Sequence, residues 1–115
     1  MEARTNLDIT TLYHFPQLSK PMEEYLYSLT VRDLTYMNPY EYRAIIGELT
    51  LRNNGHARNS TETEVEYRIR MASAEAAARR QFREIQRENG NIDRLRGTPA
   101  LTNIPLKIRQ ALFEE

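Results

Sequence analysis

The chain has 115 residues, with 16 acidic and 16 basic side chains and a formal net charge of zero, which indicates one polar domain and argues against a protein whose main task is coating nucleic acid. It contains no cysteine, which excludes a disulfide framework, a thiolate nucleophile and a cysteine-based zinc site. With a mean hydropathy of -0.70, it offers no apolar run near the roughly 18–20 residues that span a bilayer.

Residues 1–19 are expected to form an extended N-terminal arm. The segment LDITTLYHFPQLSK has no helical period, carries a proline at position 16, and is apolar through Ile9, Leu12, Tyr13, Phe15 and Leu18. Such an arm is expected to lie along a surface, its own or a neighbour's. The first fifteen residues do not follow the basic-then-apolar plan of a secretory signal, so the expected location is the cytoplasm or the inside of a larger particle. Residues 20–115 are expected to form a single helical domain.

The first helix is expected to begin near Ser19 or Lys20, with Pro21 in the first turn and Glu23 and Glu24 at the positive end of the helix dipole. Met22, Tyr25, Leu26 and Leu29 fall on one face. A short element follows from Thr30, which has Asp33 three residues on. Asn38, Pro39 and Glu41 then form a clear start signal, leading into a stripe of Tyr42, Ile45, Ile46 and Leu49. Gly47, in mid-helix, suggests a close packing contact. This helix is expected to stop at Asn53-Asn54-Gly55, with the glycine taking the left-handed C-cap.

The dominant element is expected at about 61–88, starting from Ser60 or Thr61 with Glu64 at capping-box spacing and ending at the Asn-Gly-Asn of 89–91. Some 27 residues at 1.5 Å each give a length of about 40 Å. Its apolar positions, Val65, Ile69, Ala72, Ala76, Phe82 and Ile85, recur at intervals of three and four except where Arg79 interrupts them. The alanines suit close approach of another helix and are also strong helix formers. Beyond Gly90 the expectation is a turn-rich linker with Ile92 and Leu95 available to pack. A last short helix places Ile104, Ile108, Ala111 and Leu112 on one face. The predicted fold class is all-α: a small helical bundle of four or five helices dominated by the long one.

There are fourteen arginines against two lysines, Lys20 and Lys107, and arginine is the residue suited to bidentate carboxylate or phosphate contacts. Along the long helix, Glu64–Arg68, Glu66–Arg70, Glu75–Arg79 and Arg80–Glu84 have the spacing of intrahelical ion pairs. That leaves Arg83, Arg87, Arg94 and Arg96 as candidate contacts to phosphate or to an acidic partner. Acid at the start and base toward the end suit the helix dipole, and also suit antiparallel pairing of two such helices.

Six of the seven tyrosines precede residue 43. Tyr25 and Tyr42 fit the apolar stripes, whereas Tyr27, Tyr36 and Tyr40 cluster with Met37 around the turn TYMNPYEY. Exposed aromatic and methionine side chains are enriched at protein interfaces, so these four are the candidate partner-binding residues.

No catalytic constellation is expected. His14 and His56 fall in loops, no glycine-rich phosphate loop or H-E-x-x-H occurs, and Asn59-Ser60-Thr61 reads as a helix cap rather than a glycosylation site. Glu41 and Glu48 read as a solvated or ion-paired face. No metal and no cofactor are expected. The leading expectation is a non-enzymatic protein–protein interaction or assembly subunit, an adaptor or scaffold such as a viral or phage component, acting through helix packing and the aromatic patch. Its partner would be another protein or a second copy in a homo-oligomer, with no membrane. A small nucleic-acid-binding regulator using the arginine-rich helix end is one alternative. An inhibitor docking on a partner's surface is another.

Overall fold

The computed structural model describes residues 20–113; the expected arm at 1–19 lies outside the described residues. The described chain is all-α, with α1 at Lys20–Ser28, α2 at Val31–Tyr36, α3 at Pro39–Arg52, α4 at Glu64–Glu88, α5 at Asn91–Leu95 and α6 at Leu106–Phe113. A 3-10 turn at Pro99–Asn103 precedes α6. The fold class is therefore as the sequence indicated, with one dominant helix. The expected linker adds a further helix. Gly90, at φ 88, reverses the chain in the left-handed region, and the Asn89 side chain accepts a hydrogen bond from the Asn91 N–H at 3.1 Å, which restarts the helix at once.

Helix starts are set by reciprocal capping boxes. Thr30 with Asp33 opens α2, and Asn38 with Glu41 opens α3 with Pro39 in the first turn. For α4 the box is Thr63 with Glu66, two residues beyond the expected Thr61 and Glu64. The sequence TETEVE, residues 61–66, offers a threonine with an acid three residues on in both registers. The guanidinium of Arg70 holds Glu62, donating at 2.8 Å to each carboxylate oxygen, so the chain before Thr63 is tied down as a loop.

α4 is the spine against which α3, α6, α5 and α1 pack. Its buried face is Ala74, Ala78, Phe82 and Ile85. Phe82 meets the edge of Tyr42 from α3, with ring centroids 5.6 Å apart at 75°. Leu26, Leu34, Leu49, Ile92, Leu95, Ile108 and Leu112 complete a single core.

The expected stripe on α4 needs correcting. Val65 and Ile69 are 66% and 65% exposed, and Ala72 is exposed too. At 100° per residue, positions 65, 69, 72 and 76 share one face, while 74, 78, 82 and 85 share nearly the opposite one. A step from Ala76 to Phe82 crosses from one face to the other. The large side chains Phe82 and Ile85 fix which face meets the core, and the alanines fit either.

At the end of α3, Asn54 rather than Gly55 takes the left-handed conformation, at φ 73. Gly55 is needed for a different reason: its N–H donates to the Thr50 carbonyl at 2.8 Å, and a Cβ there would lie 2.3 Å from the Thr50 Cγ2. Among the described residues no helix is long and apolar enough to cross a membrane.

Candidate partner-binding surfaces

The tyrosine cluster divides in two. Tyr36 and Tyr40 are 73% and 77% exposed, and each carries a guanidinium over its ring: Arg32 at 5.4 Å from the Tyr36 centroid and Arg43 at 6.0 Å from that of Tyr40. Neither arginine stood out in the sequence, although each lies one helical turn from its tyrosine, the spacing at which such pairs meet. Tyr25 and Tyr36 border a shallow groove of about 490 Å³ together with Arg32, Asp33 and Glu41. Burial, and then the charges of Glu41 and Asp33, push the Tyr25 phenol up.

Tyr27 and Met37 belong elsewhere. The Tyr27 hydroxyl donates to the Glu88 carboxylate at the end of α4, and that hydrogen bond leads the effects that push its phenol up to about 12. Met37 is 5% exposed and part of the core. It caps α2 with extended backbone at φ -66 and ψ 130. Local sequence could not separate a methionine at a turn from one beneath it.

Of the four arginines set aside for an external ligand, Arg83 is buried, while Arg87, Arg94 and Arg96 are exposed and each also makes a contact within the fold. Arg83 is 7% exposed and donates from Nη1 to the Ala111 carbonyl of α6 at 3.3 Å. Arg87 pairs with Glu84 at 2.5 Å. Arg94 donates to the Asn89 carbonyl and the Asn91 side-chain oxygen at 3.0 and 3.3 Å. The Arg96 guanidinium lies 6.0 Å from the centroid of the Phe113 ring. Of the expected intrahelical pairs, Glu64–Arg68 forms, at 2.7 Å. Glu66 is engaged in the cap and Glu84 turns to Arg87, which leaves Arg80 exposed together with Arg79.

A groove of about 990 Å³ lies between α3, α4 and α6. Its apolar lining includes Tyr42, Ile46, Met71 and Ile108, and Arg43, Arg79 and Lys107 stand at it against the single carboxylate of Glu75. Gly47 lines it as well, and a Cβ at that position would meet nothing within 4 Å. The expected close packing contact at Gly47 is thus replaced by open space: the missing side chain keeps the groove clear. Arg79 also faces Tyr42, whose phenol burial pushes up and the Arg79 charge pulls down.

Among the described residues no group of three or more His, Asp or Glu side chains is placed to hold a metal ion. Compared with protein-family models, curated proteins and solved structures, the chain has no match. Its functional reading therefore rests on the chemistry of these surfaces.

Proposed function

We propose that this chain is a non-enzymatic protein-interaction subunit whose groove between α3, α4 and α6 receives a short amphipathic segment of a partner protein, acidic on the side that meets the rim. The observation that carries this reading is the combination of an apolar floor, left open at Gly47, with three cations and one anion around it. Apolar burial supplies affinity for a helix laid in a groove, and the excess of positive charge selects an acidic occupant. Arg43 reaches both this groove and the Tyr40 ring, so the tyrosine–arginine surface extends the same docking face. Tyr and Arg are the side chains most enriched at energetic centres of interfaces.

A binding role also fits the titration behaviour. The displaced groups move away from neutrality, Tyr27 upward to about 12 and Glu62 downward to about 2, whereas a general acid or base works best near the operating pH. The nucleic-acid reading draws less support, because Arg83 and Arg94 are committed to contacts within the fold and Arg87, in an exposed pair with Glu84, is left with few cations beside it.

The test uses synthetic helical peptides with leucines at i, i+3, i+4 and i+7 and either glutamates or lysines elsewhere. The glutamate peptide is expected to bind and to shift the NMR signals of Ile46, Gly47 and Met71. Gly47→Leu, which fills the groove, and Arg79→Glu, which reverses its rim, should each abolish binding without loss of helicity. Equal binding of the lysine peptide, or binding that survives Gly47→Leu, overturns the reading.

A further inference from the structure

The outer face of α4 carries a second recognition surface, which meets the groove only at Glu75. We propose that a second copy of this chain pairs antiparallel with α4 along Val65, Ile69, Ala72 and Ala76, centred between residues 70 and 71. Val65 and Ile69 are about two-thirds exposed, at 66% and 65%, and Ala72 between them and the next turn is exposed too. These four positions follow the alternating four-and-three spacing of a coiled-coil seam. The seam ends where α6 takes over the same face: at Arg83, in phase with Val65, the helix is covered and bonded to the Ala111 carbonyl. The uncovered length is therefore bounded by the fold itself: it runs from the start of α4 and narrows at Ala76, which is half-buried.

Antiparallel register follows from side-chain size and from charge. With the centre at 70–71, Val65 of each copy faces Ala76 of the other, and Ile69 faces Ala72. Every layer then sets a large side chain against a small one, which allows close approach. A parallel, in-register pair would instead stack Ile69 on Ile69 and leave the alanine layers underfilled.

The same register brings Arg68 of each copy beside Glu75 of the other, once on each side of the two-fold axis. A parallel pair would lay Arg68 near Arg68 and acid over acid. Arg68 is available for this exchange. Its intrahelical pair with Glu64 has side chains 73% and 63% exposed, and an exposed pair of that kind contributes little to stability.

Four layers from one helix pair fall short of the roughly 1,200–2,000 Å² of a standard stable interface. The dimer is accordingly concentration-dependent, and weakened by salt because its flanking charges are at the surface.

The experiment is sedimentation equilibrium of the full chain over a concentration series, with circular dichroism to confirm the fold of each variant. The wild type should show a monomer–dimer equilibrium. Ile69→Glu, at an exposed position, should retain full helicity and lower the association constant at least about tenfold, the loss expected of a central interface side chain. Arg68→Glu and Glu75→Arg should each be monomeric alone, because each places like charges together twice, and an equimolar mixture of the two should recover the dimer.

A wild type that stays monomeric at millimolar concentration overturns the proposal, as does a dimer unaffected by Ile69→Glu. A mixture that fails to associate overturns the antiparallel register. Gly47→Leu separates this surface from the peptide groove: it should leave the dimer intact, so either surface can fail without the other.

Discussion

Arg70 donates to both carboxylate oxygens of Glu62, eight residues earlier, through Nε and Nη2 at 2.8 Å each. The same guanidinium reaches the carbonyls of Asn54, His56 and Ala57 at 2.6, 3.0 and 3.3 Å. One planar fork thus gathers the entire loop between α3 and α4 onto the spine, which a lysine, with a single charged nitrogen, could not do.

This clamp should govern acid stability. The hydrogen bond from Arg70, opposed by partial burial, holds the Glu62 carboxyl down to about 2 against an ordinary 4.5. A depressed carboxyl stabilises the fold at pH values above its unfolded pKa, because the folded chain refuses a proton that the unfolded chain accepts. That contribution is complete above about 4.5 and is lost as the pH falls toward 2. Urea midpoints measured across this window should decline in the wild type. Glu62→Gln should flatten that part of the curve and lower the midpoint at neutral pH.

The amides of Gln86 and Asn91, both fully buried, should be intolerant of substitution. Gln86 donates to the Leu26 carbonyl at 3.2 Å, and Asn91 donates to the Leu29 carbonyl and to the Gln86 side-chain oxygen at 2.7 Å each. With the Asn89 amide, which donates to the Leu26 and Leu29 carbonyls at 3.4 and 3.5 Å, they bind the carbonyls at and just past the end of α1. Asn91→Ala should cost about 1–3 kcal/mol by removing the shorter of the bonds to the Leu29 carbonyl and the Gln86 oxygen, which leaves both to the longer contacts of Asn89. Asn91→Asp should cost at least as much, since it faces the same carbonyls with a buried carboxylate. Chemical denaturation with both far-UV and near-UV detection would measure each.

Elements with short-range causes were legible in the sequence. The capping boxes at Thr30 and Asn38, the burial of Tyr42, Ile45 and Leu49, and the length of α4 to within three residues all follow from local spacing. What sequence could not supply was the phase of α4, because alanine suits a core face and an outer face equally and the choice is made by α3 and α6 packing on Phe82. The same limit hid the pairing of Arg70 with Glu62, which needs a loop to fold back, and the burial of Arg83 under α6. Of the candidate interface residues, Tyr36, Tyr40 and Tyr27 lie exposed, Tyr27 with its hydroxyl on Glu88, while Met37 is in the core. The groove at Gly47 draws on three helices, so no single stretch of sequence announces it.

The Tyr27–Glu88 contact should appear in an alkaline titration. Its phenol is raised from 10.0 to about 12 by hydrogen bonding to Glu88, burial and neighbouring carboxylates. A raised phenol favours the neutral form in the fold, so the stabilisation is complete below pH 10 and fades as the pH rises toward 12. Phenolate absorbance of the wild type minus that of Tyr27→Phe should show a transition near 12. Glu88→Gln should move that transition back toward 10; one that does not move would show that the contact is absent in solution.

Two glycines should respond to alanine in opposite directions. At Gly47, inside α3, an added Cβ meets nothing within 4 Å, and alanine is the better helix former by about 1 kcal/mol. Gly47→Ala should therefore raise the melting temperature while narrowing the groove by only a methyl group. At Gly55 a Cβ would fall 2.3 Å from the Thr50 Cγ2 and 2.7 Å from the Thr50 carbonyl oxygen. The oxygen belongs to the backbone that receives the Gly55 N–H, so it cannot withdraw without breaking that turn. Gly55→Ala should destabilise by about 1–3 kcal/mol, the usual penalty for forcing volume into a packed site. Paired thermal melts decide both: a Gly55→Ala variant as stable as the wild type would mean that the loop tied down by Arg70 can shift as a unit, and the clamp would then be far softer than its five hydrogen bonds imply.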